Sequence, residues 1–188
     1  MIRDWSQRCW RMLFGPRMLY GWRHADGRWL AHTRISSATH IDCPARLDIG
    51  DHVYVGPFNL LDASGGLHIG EGVQVTTHCA ILTHSSHQAL RLAGRAYWGD
   101  AEPPGFLRRP TQIGAYSFIG PHSVVMPGSR IGRGVLVRAY SYVDGEVPDF
   151  AVAAGQPAVV VGDTRELDRA WLDAHAAERA HYDAWAGR

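Results

Sequence analysis

Histidine offers the most chemistry in this sequence, and it is locally concentrated. Eleven are present, and two fall in the run Thr83-His84-Ser85-Ser86-His87. A neutral imidazole can take a proton from a hydroxyl near neutral pH without any tuning of its pKa, which makes this run a candidate general base. His78 and His122 stand in more regular surroundings and could line the same cleft. His24, His32, His40, His52, His68, His175 and His181 read as surface or packing residues. Several other chemistries are excluded. None of the 19 basic residues is lysine, so a lysine Schiff base and a phosphate-loop lysine are ruled out. Ser85 and Ser86 lack a G-x-S-x-G context and read as hydrogen-bond donors or turn formers. Cys9, Cys43 and Cys79 are odd in number and form no C-x-x-C pair, which points away from a disulfide framework and toward a reducing compartment.

The elements that must position these histidines follow from a repeat. Aliphatic residues recur in steps of six: Ile49, Val55, Leu61; then Ile69, Val75, Ile81; then Ile113, Ile119, Val125; then Ile131, Val137, Val143, with a weaker lead-in at Ile35, Ile41 and Leu47. Glycine follows many of them. Neither a 3.6-residue helix period nor strand alternation produces a six-residue step. A three-sided coil of short strands does, with one branched aliphatic per side pointing inward and eighteen residues per turn. Parallel stacking at about 4.8 Å per coil then gives a prism roughly 20–25 Å tall. With 46% apolar residues the chain can build such a core.

Residues 113–161, from IGAYSFIGPHSVVMPGS through GQPAVVV, resemble the closing coils of the hexapeptide-repeat acyltransferases, and the likeness extends from about residue 41. Within that family the galactoside, maltose and surface-polysaccharide O-acetyltransferases are most similar. The resemblance implies an all-β fold, a left-handed parallel β-helix in the form of a triangular prism, assembled as a homotrimer with active sites between neighbouring prisms. It implies transfer of an acetyl group from acetyl-CoA to a saccharide hydroxyl, in surface polysaccharide or lipopolysaccharide biosynthesis, with no metal. N-acetylation of an amino sugar nucleotide is the alternative. A γ-class carbonic-anhydrase-like enzyme on the same prism would need histidines in an H-x-x-x-x-H arrangement, a spacing that His78, His84, His87 and His122 do not supply.

The resemblance also assigns roles. A catalytic histidine five to seven residues beyond the last inward aliphatic points, from Ile81, to His87 as general base, with His84 as its orienting neighbour or as the base itself. Asn59 and Asp62 resemble the pair that holds the acceptor hydroxyl, and Trp98 is an acceptor contact on the loop over the cleft. Coenzyme A is expected along Gly120, Arg138, Ala139, Tyr140 and Ser141. Many relatives carry a Thr-Lys pair after the last hexad; this chain has Asp144-Gly145, so Arg138, Arg165, Arg108 or Arg109 are expected to meet the nucleotide phosphates.

Three segments depart from the repeat, dividing the chain into an N-terminal arm (1–34), the prism (35–161) and a C-terminal helix (162–188) with Thr164 as N-cap. Residues 88–110 are a looped-out insertion that carries Arg91, Arg95, Arg108 and Arg109 beside Tyr97 and Trp98. The helix, with Leu167, Trp171, Ala174 and Trp185 near one face, is expected to close the open end of the solenoid. The arm holds seven arginines against two aspartates, interspersed with Trp5, Trp10, Trp22 and Trp29. Packing on the first coil and peripheral contact with an anionic membrane surface are both open to it; nucleic acid is not expected. With no apolar run long enough to span a bilayer and no signal-peptide pattern, the chain reads as cytoplasmic, with the inner membrane face as a further location.

Overall fold

A computed structural model describes residues 15–187. Three parallel sheets form the sides of a prism. The first contains Tyr54–Val55, Gln74–Val75, Phe118–Ile119 and Leu136–Val137, the second Leu47–Ile49, Leu67–Ile69, Thr111–Ile113, Arg130–Ile131 and Glu146–Val147, and the third His40–Asp42, Leu60–Asp62, Ala80–Ile81, Val124–Val125 and Tyr142–Val143. All twelve aliphatics of the four hexad groups point into the prism and are at most 3% exposed. A second inward position, two residues earlier, holds Val53, Val73 and Val135 in some coils and Ser117, Ser123 and Ser129 in others. Their hydroxyls donate to the next coil, from Ser117 Oγ to the Gly132 carbonyl at 2.8 Å and from Ser123 Oγ to the Arg138 carbonyl at 3.1 Å. A small polar residue thus enters the core without an unmet hydrogen bond.

The coil length varies. Phe118 pairs with Leu136, a step of eighteen, but Tyr54 pairs with Gln74, a step of twenty. The two extra residues lie at the corner between the third and second sheets, where Leu61 is followed by Ile69 at eight rather than six.

Both ends of the first sheet are closed by antiparallel strands. Strand β1 (Met18–Arg23) pairs with β2 (Trp29–Ser36), which runs parallel to Tyr54–Val55 through Arg34 and Ile35. Residues 18–34 therefore belong to the prism wall rather than to an arm, with Leu30 and Thr33 buried and Trp22 packed against the core. Arg3, Trp5, Arg8 and Trp10 lie outside the described residues. At the other end Ala151–Gly155 folds back on Ala158–Asp163.

The C-terminal region is two helices, not one, Thr164–Ala174 and Ala176–Ala186, broken at His175. The N-cap is Asp163, whose side chain accepts from the Arg165 N–H; the Thr164 hydroxyl instead donates to the Gly134 carbonyl at 2.8 Å. Within the first helix Leu167 and Trp171 stay exposed while Leu172 is buried. The end of the second helix lies along the corner that carries Tyr116, Gly134 and Phe150. Trp185 packs between Tyr116 and Phe150 at 4.7 and 5.8 Å, over Gly134, where an added Cβ would stand 3.0 Å from the indole. Val159, Val160 and Val161 on the last strand remain more than half exposed. Among the described residues no helix is long and apolar enough to cross a membrane.

Replacing the fully buried Ile113 by alanine should cost about 2–5 kcal/mol, read as a lowered denaturant midpoint. A pH effect is expected at the β1–β2 turn, where His24 Nε2 lies 2.9 Å from Asp48 Oδ1 and Nδ1 2.9 Å from Asp26 Oδ1. The bond to Asp48 raises the imidazole above its usual 6.5, burial opposing and Asp26 assisting. A raised value stabilises the fold below the unfolded pKa, and that contribution is lost as pH rises through the folded value. Hydrogen-exchange protection of the hairpin, corrected for intrinsic rates, should be greater at pH 6 than at pH 8, and His24→Ala should abolish the difference.

Candidate active site

The stretched corner between the third and second sheets builds the site. Asp62 ends the strand Leu60–Asp62 and is 2% exposed. Its Oδ1 accepts from the Ser64 N–H at 2.9 Å, the local Asx geometry that starts the turn. Its Oδ2 accepts from the Thr83 N–H at 2.8 Å, the Thr83 hydroxyl at 2.9 Å and the His84 N–H at 3.0 Å, all on the next coil. Gly65 lets the turn press against that coil: a Cβ there would stand 2.6 Å from the Thr83 carbonyl. Burial alone would raise the Asp62 carboxyl, but the Ser64 and Thr83 bonds outweigh it and hold the group well below the usual carboxylate range.

This ionised carboxylate orients an imidazole. His84 Nδ1 lies 2.7 Å from Asp62 Oδ2 and 2.9 Å from Ser64 Oγ. Facing a carboxylate, Nδ1 carries the ring proton, which leaves Nε2 with its lone pair. The His84 side chain is 39% exposed against 3% for Asp62, so a buried acid supports a ring that solvent or substrate can reach.

The insertion supplies the second wall. It is largely ordered as a helix, His87–Ala93, a 3-10 segment, Gly94–Gly99, and a strand, Leu107–Arg108, that pairs antiparallel with His84–Ser85. This return brings Phe106 onto His84, ring centroids 5.7 Å apart and nearly parallel, with the Arg108 guanidinium 5.2 Å above Phe106. Phe106 and Arg108, with Ala101, Glu102 and Pro103, line a hollow of about 330 Å³.

The expected site residues do not all meet here. His87 starts the helix, and its Nδ1 pairs with Ser85 Oγ at 2.8 Å; among the described residues no carboxylate faces it. Asn59 is turned inward, donating to the Gly56 and Thr76 carbonyls and accepting from the Cys79 N–H at 2.7 Å. It knits coils together and presents nothing to an acceptor. Asp62 likewise has its oxygens occupied by the protein, so its place is behind the imidazole rather than against a substrate hydroxyl. Trp98 is 86% exposed on the insertion, in edge contact with Tyr97. Gly120, Arg138, Ala139, Tyr140 and Ser141 lie on a different corner, between the first and third sheets. There Gly120 is a packing glycine, since a Cβ would stand 2.5 Å from the Ala139 nitrogen. Ser141 Oγ donates to the Arg138 carbonyl, and the Tyr140 N–H and carbonyl engage Pro121 and Gln156. These groups are not free for a pantetheine arm; Arg138 and Ala139 are exposed. Arg165 is held by Asp163.

That second corner carries an arrangement that the sequence reading missed. Phe58, His78, His122 and Tyr140 all adopt positive φ, between 55° and 61°. Their rings stack from coil to coil at 5.1, 4.9 and 4.8 Å. The matched Gly-Pro-Phe and Gly-Pro-His turns at 56–58 and 120–122 were the available cue.

Residues 110–145 match the bacterial transferase hexapeptide family (six repeats). A probable acetyltransferase of Mycobacterium tuberculosis is 31% identical over 155 residues, 74% of this chain and 50% of that protein. The galactoside O-acetyltransferase of Escherichia coli is 27% identical over 137 residues, 69% of this chain and 63% of that protein. The chain thus spans half to under two thirds of these relatives. A hexapeptide-repeat-containing acetyltransferase from Vibrio cholerae superposes with a TM-score of 0.60 at 24% identity, over 69% of each chain. Its complex with acetyl coenzyme A gives 0.58 at 24% identity, over 66% and 64%. The shared fold is the left-handed parallel β-helix.

Because the folded-state pKa of Asp62 is depressed, its contribution to stability is complete above the unfolded value near 3.8 and is lost as pH falls toward the folded one. Asp62→Asn should therefore be less stable than the parent at pH 7, and its stability should fall less steeply from pH 5 to pH 2, as measured by urea unfolding.

Proposed function

We propose that this chain is a hexapeptide-repeat acyltransferase and moves an acetyl group from acetyl-CoA to a hydroxyl of a saccharide, with His84 rather than His87 as the general base. The observation that carries this reading is the 2.7 Å pairing of His84 Nδ1 with a buried, ionised Asp62. His84 Nε2 takes the proton of the acceptor hydroxyl as its oxygen attacks the thioester carbonyl. The Asp62 carboxylate offsets the positive charge then formed on the ring and keeps its orientation. When the tetrahedral intermediate collapses, the coenzyme A thiolate leaves and recovers the proton from Nε2. No protein nucleophile is required.

The acceptor fits the hollow walled by Phe106, Arg108 and Glu102, with exposed Trp98 as a platform for a sugar ring. The Vibrio cholerae neighbour holding acetyl coenzyme A supports the choice of donor, and the galactoside O-acetyltransferase supports a hydroxyl acceptor. The exposed Arg138, the donor contact expected from the resemblance, lies on a different corner of the chain from His84, so a donor held through its phosphates there reaches the base when a second copy lays that corner beside the insertion. This is the physical reason to propose the trimer.

In an assay of thiol release from acetyl-CoA with a panel of hydroxyl- and amino-bearing sugars, His84→Ala should lower turnover by about 10²- to 10⁴-fold with the fold retained by circular dichroism. His87→Ala should stay within a few-fold of the parent. Loss of activity in His87→Ala with retention in His84→Ala would return the role to His87, and acetylation of amino sugars alone would replace O- by N-transfer.

A further inference from the structure

A second cluster of ligand-bearing side chains lies at the corner between the second and first sheets, away from His84. His32, on β2, and Asp51 and His52, in the turn after Leu47–Ile49, place one ligand atom each within 4.8 Å of one another. The carboxylate is fixed before any ligand arrives. Asp51 Oδ1 accepts from the His32 N–H at 2.9 Å, the His52 N–H at 2.8 Å and the Thr33 hydroxyl at 3.2 Å, while Oδ2 lies 3.1 Å from His32 Nδ1. The two imidazoles stack at 4.4 Å. Glu71 stands 4.0 Å from His52 Nδ1, its Oε1 held by the Tyr116 hydroxyl at 3.1 Å.

We propose that His32, Asp51 and His52, with Glu71 as a fourth ligand, bind a divalent transition-metal ion of the zinc class. Two imidazoles and a carboxylate are the donors that such ions take in preference to calcium or magnesium. Tetrahedral bonds of about 2.0–2.1 Å set donor atoms about 3.3 Å apart, so from separations of up to 4.8 Å the rings must turn out of their stack and close by up to about 1.5 Å. Both imidazoles are more than half exposed and free to do so, whereas Asp51 need not move. Arg34 lines the same hollow, but its guanidinium is drawn over the Tyr54 ring. The ion would tie β2 to the first corner of the prism, a structural clamp separate from acetyl transfer.

The test is a zinc titration of the chelator-stripped full chain against a chromogenic competitor, with circular dichroism melts in parallel. One equivalent should bind per chain, more weakly at pH 5.5 than at pH 7.5 because the imidazoles must be neutral. His52→Ala should weaken binding by about tenfold or more, and the His32→Ala/His52→Ala double variant should lose both the binding and the rise in melting temperature that zinc gives the parent. His24→Ala/His68→Ala, which removes the other histidine pair around an aspartate, should bind as the parent does. Equal binding by the parent and the His32/His52 double variant, or loss that follows His24 and His68 instead, would overturn the site. A Glu71→Gln variant that binds as tightly as the parent would overturn Glu71 as the fourth ligand.

Discussion

Everything in this molecule depends on stacking one short coil on another so that a branched aliphatic from each side fills the prism. The interior is narrow enough that Ile69, Ile81, Ile113 and Ile119 are wholly enclosed, and each coil must repeat the same inward positions for its neighbours to close-pack. Corners are where the chain can vary without disturbing that fit. Residues facing outward at a corner stack directly on their counterparts above and below, so each corner becomes a column of side chains along the prism. One column is the aromatic and imidazole series Phe58, His78, His122 and Tyr140; another seats Trp185.

The candidate catalytic corner is the one where the sequence strays furthest from its period. Two extra residues after Asp62 give the turn room to fold an Asx bend, and on the next coil the whole insertion leaves at the corresponding place. Asp62 and His84 are consequently stacked neighbours on successive coils. The acid is fixed by the coil above it, and the histidine is fixed by the acid. The insertion, held by its antiparallel return through Leu107–Arg108, then walls the ring from the other side.

The aliphatic repeat was legible because a solenoid writes its packing linearly: every inward residue is predicted by the one six before it. The same regularity located the insertion. Partnerships between coils were harder to read: the eight-residue step from Leu61 to Ile69 shows that a coil is longer, but not which side chains it brings opposite one another. Counting from Ile81 favoured His87, but what singles out His84 is a carboxylate 22 positions earlier, brought opposite by a twenty-residue coil. Asn59 and Asp62 were expected as substrate contacts from the family resemblance; in the structure both side chains are buried and bonded to the protein. The helical spacing after Asp163 concealed the break at His175, so the apolar stripe expected on one long helix was divided.

The antiparallel strands at the two ends of the first sheet have a consequence for growth. A parallel coil offers the next coil a repeating ladder of hydrogen-bonding groups, and an open end could in principle accept another molecule's coil in the same register. Here β1 and Ala158–Asp163 run against the direction of the stack, so a coil arriving at either end of the first sheet meets an antiparallel strand instead of the parallel ladder found within it. On that side of the prism the parallel ladder therefore stops within the chain itself, bracketed by a reversal of direction at either end.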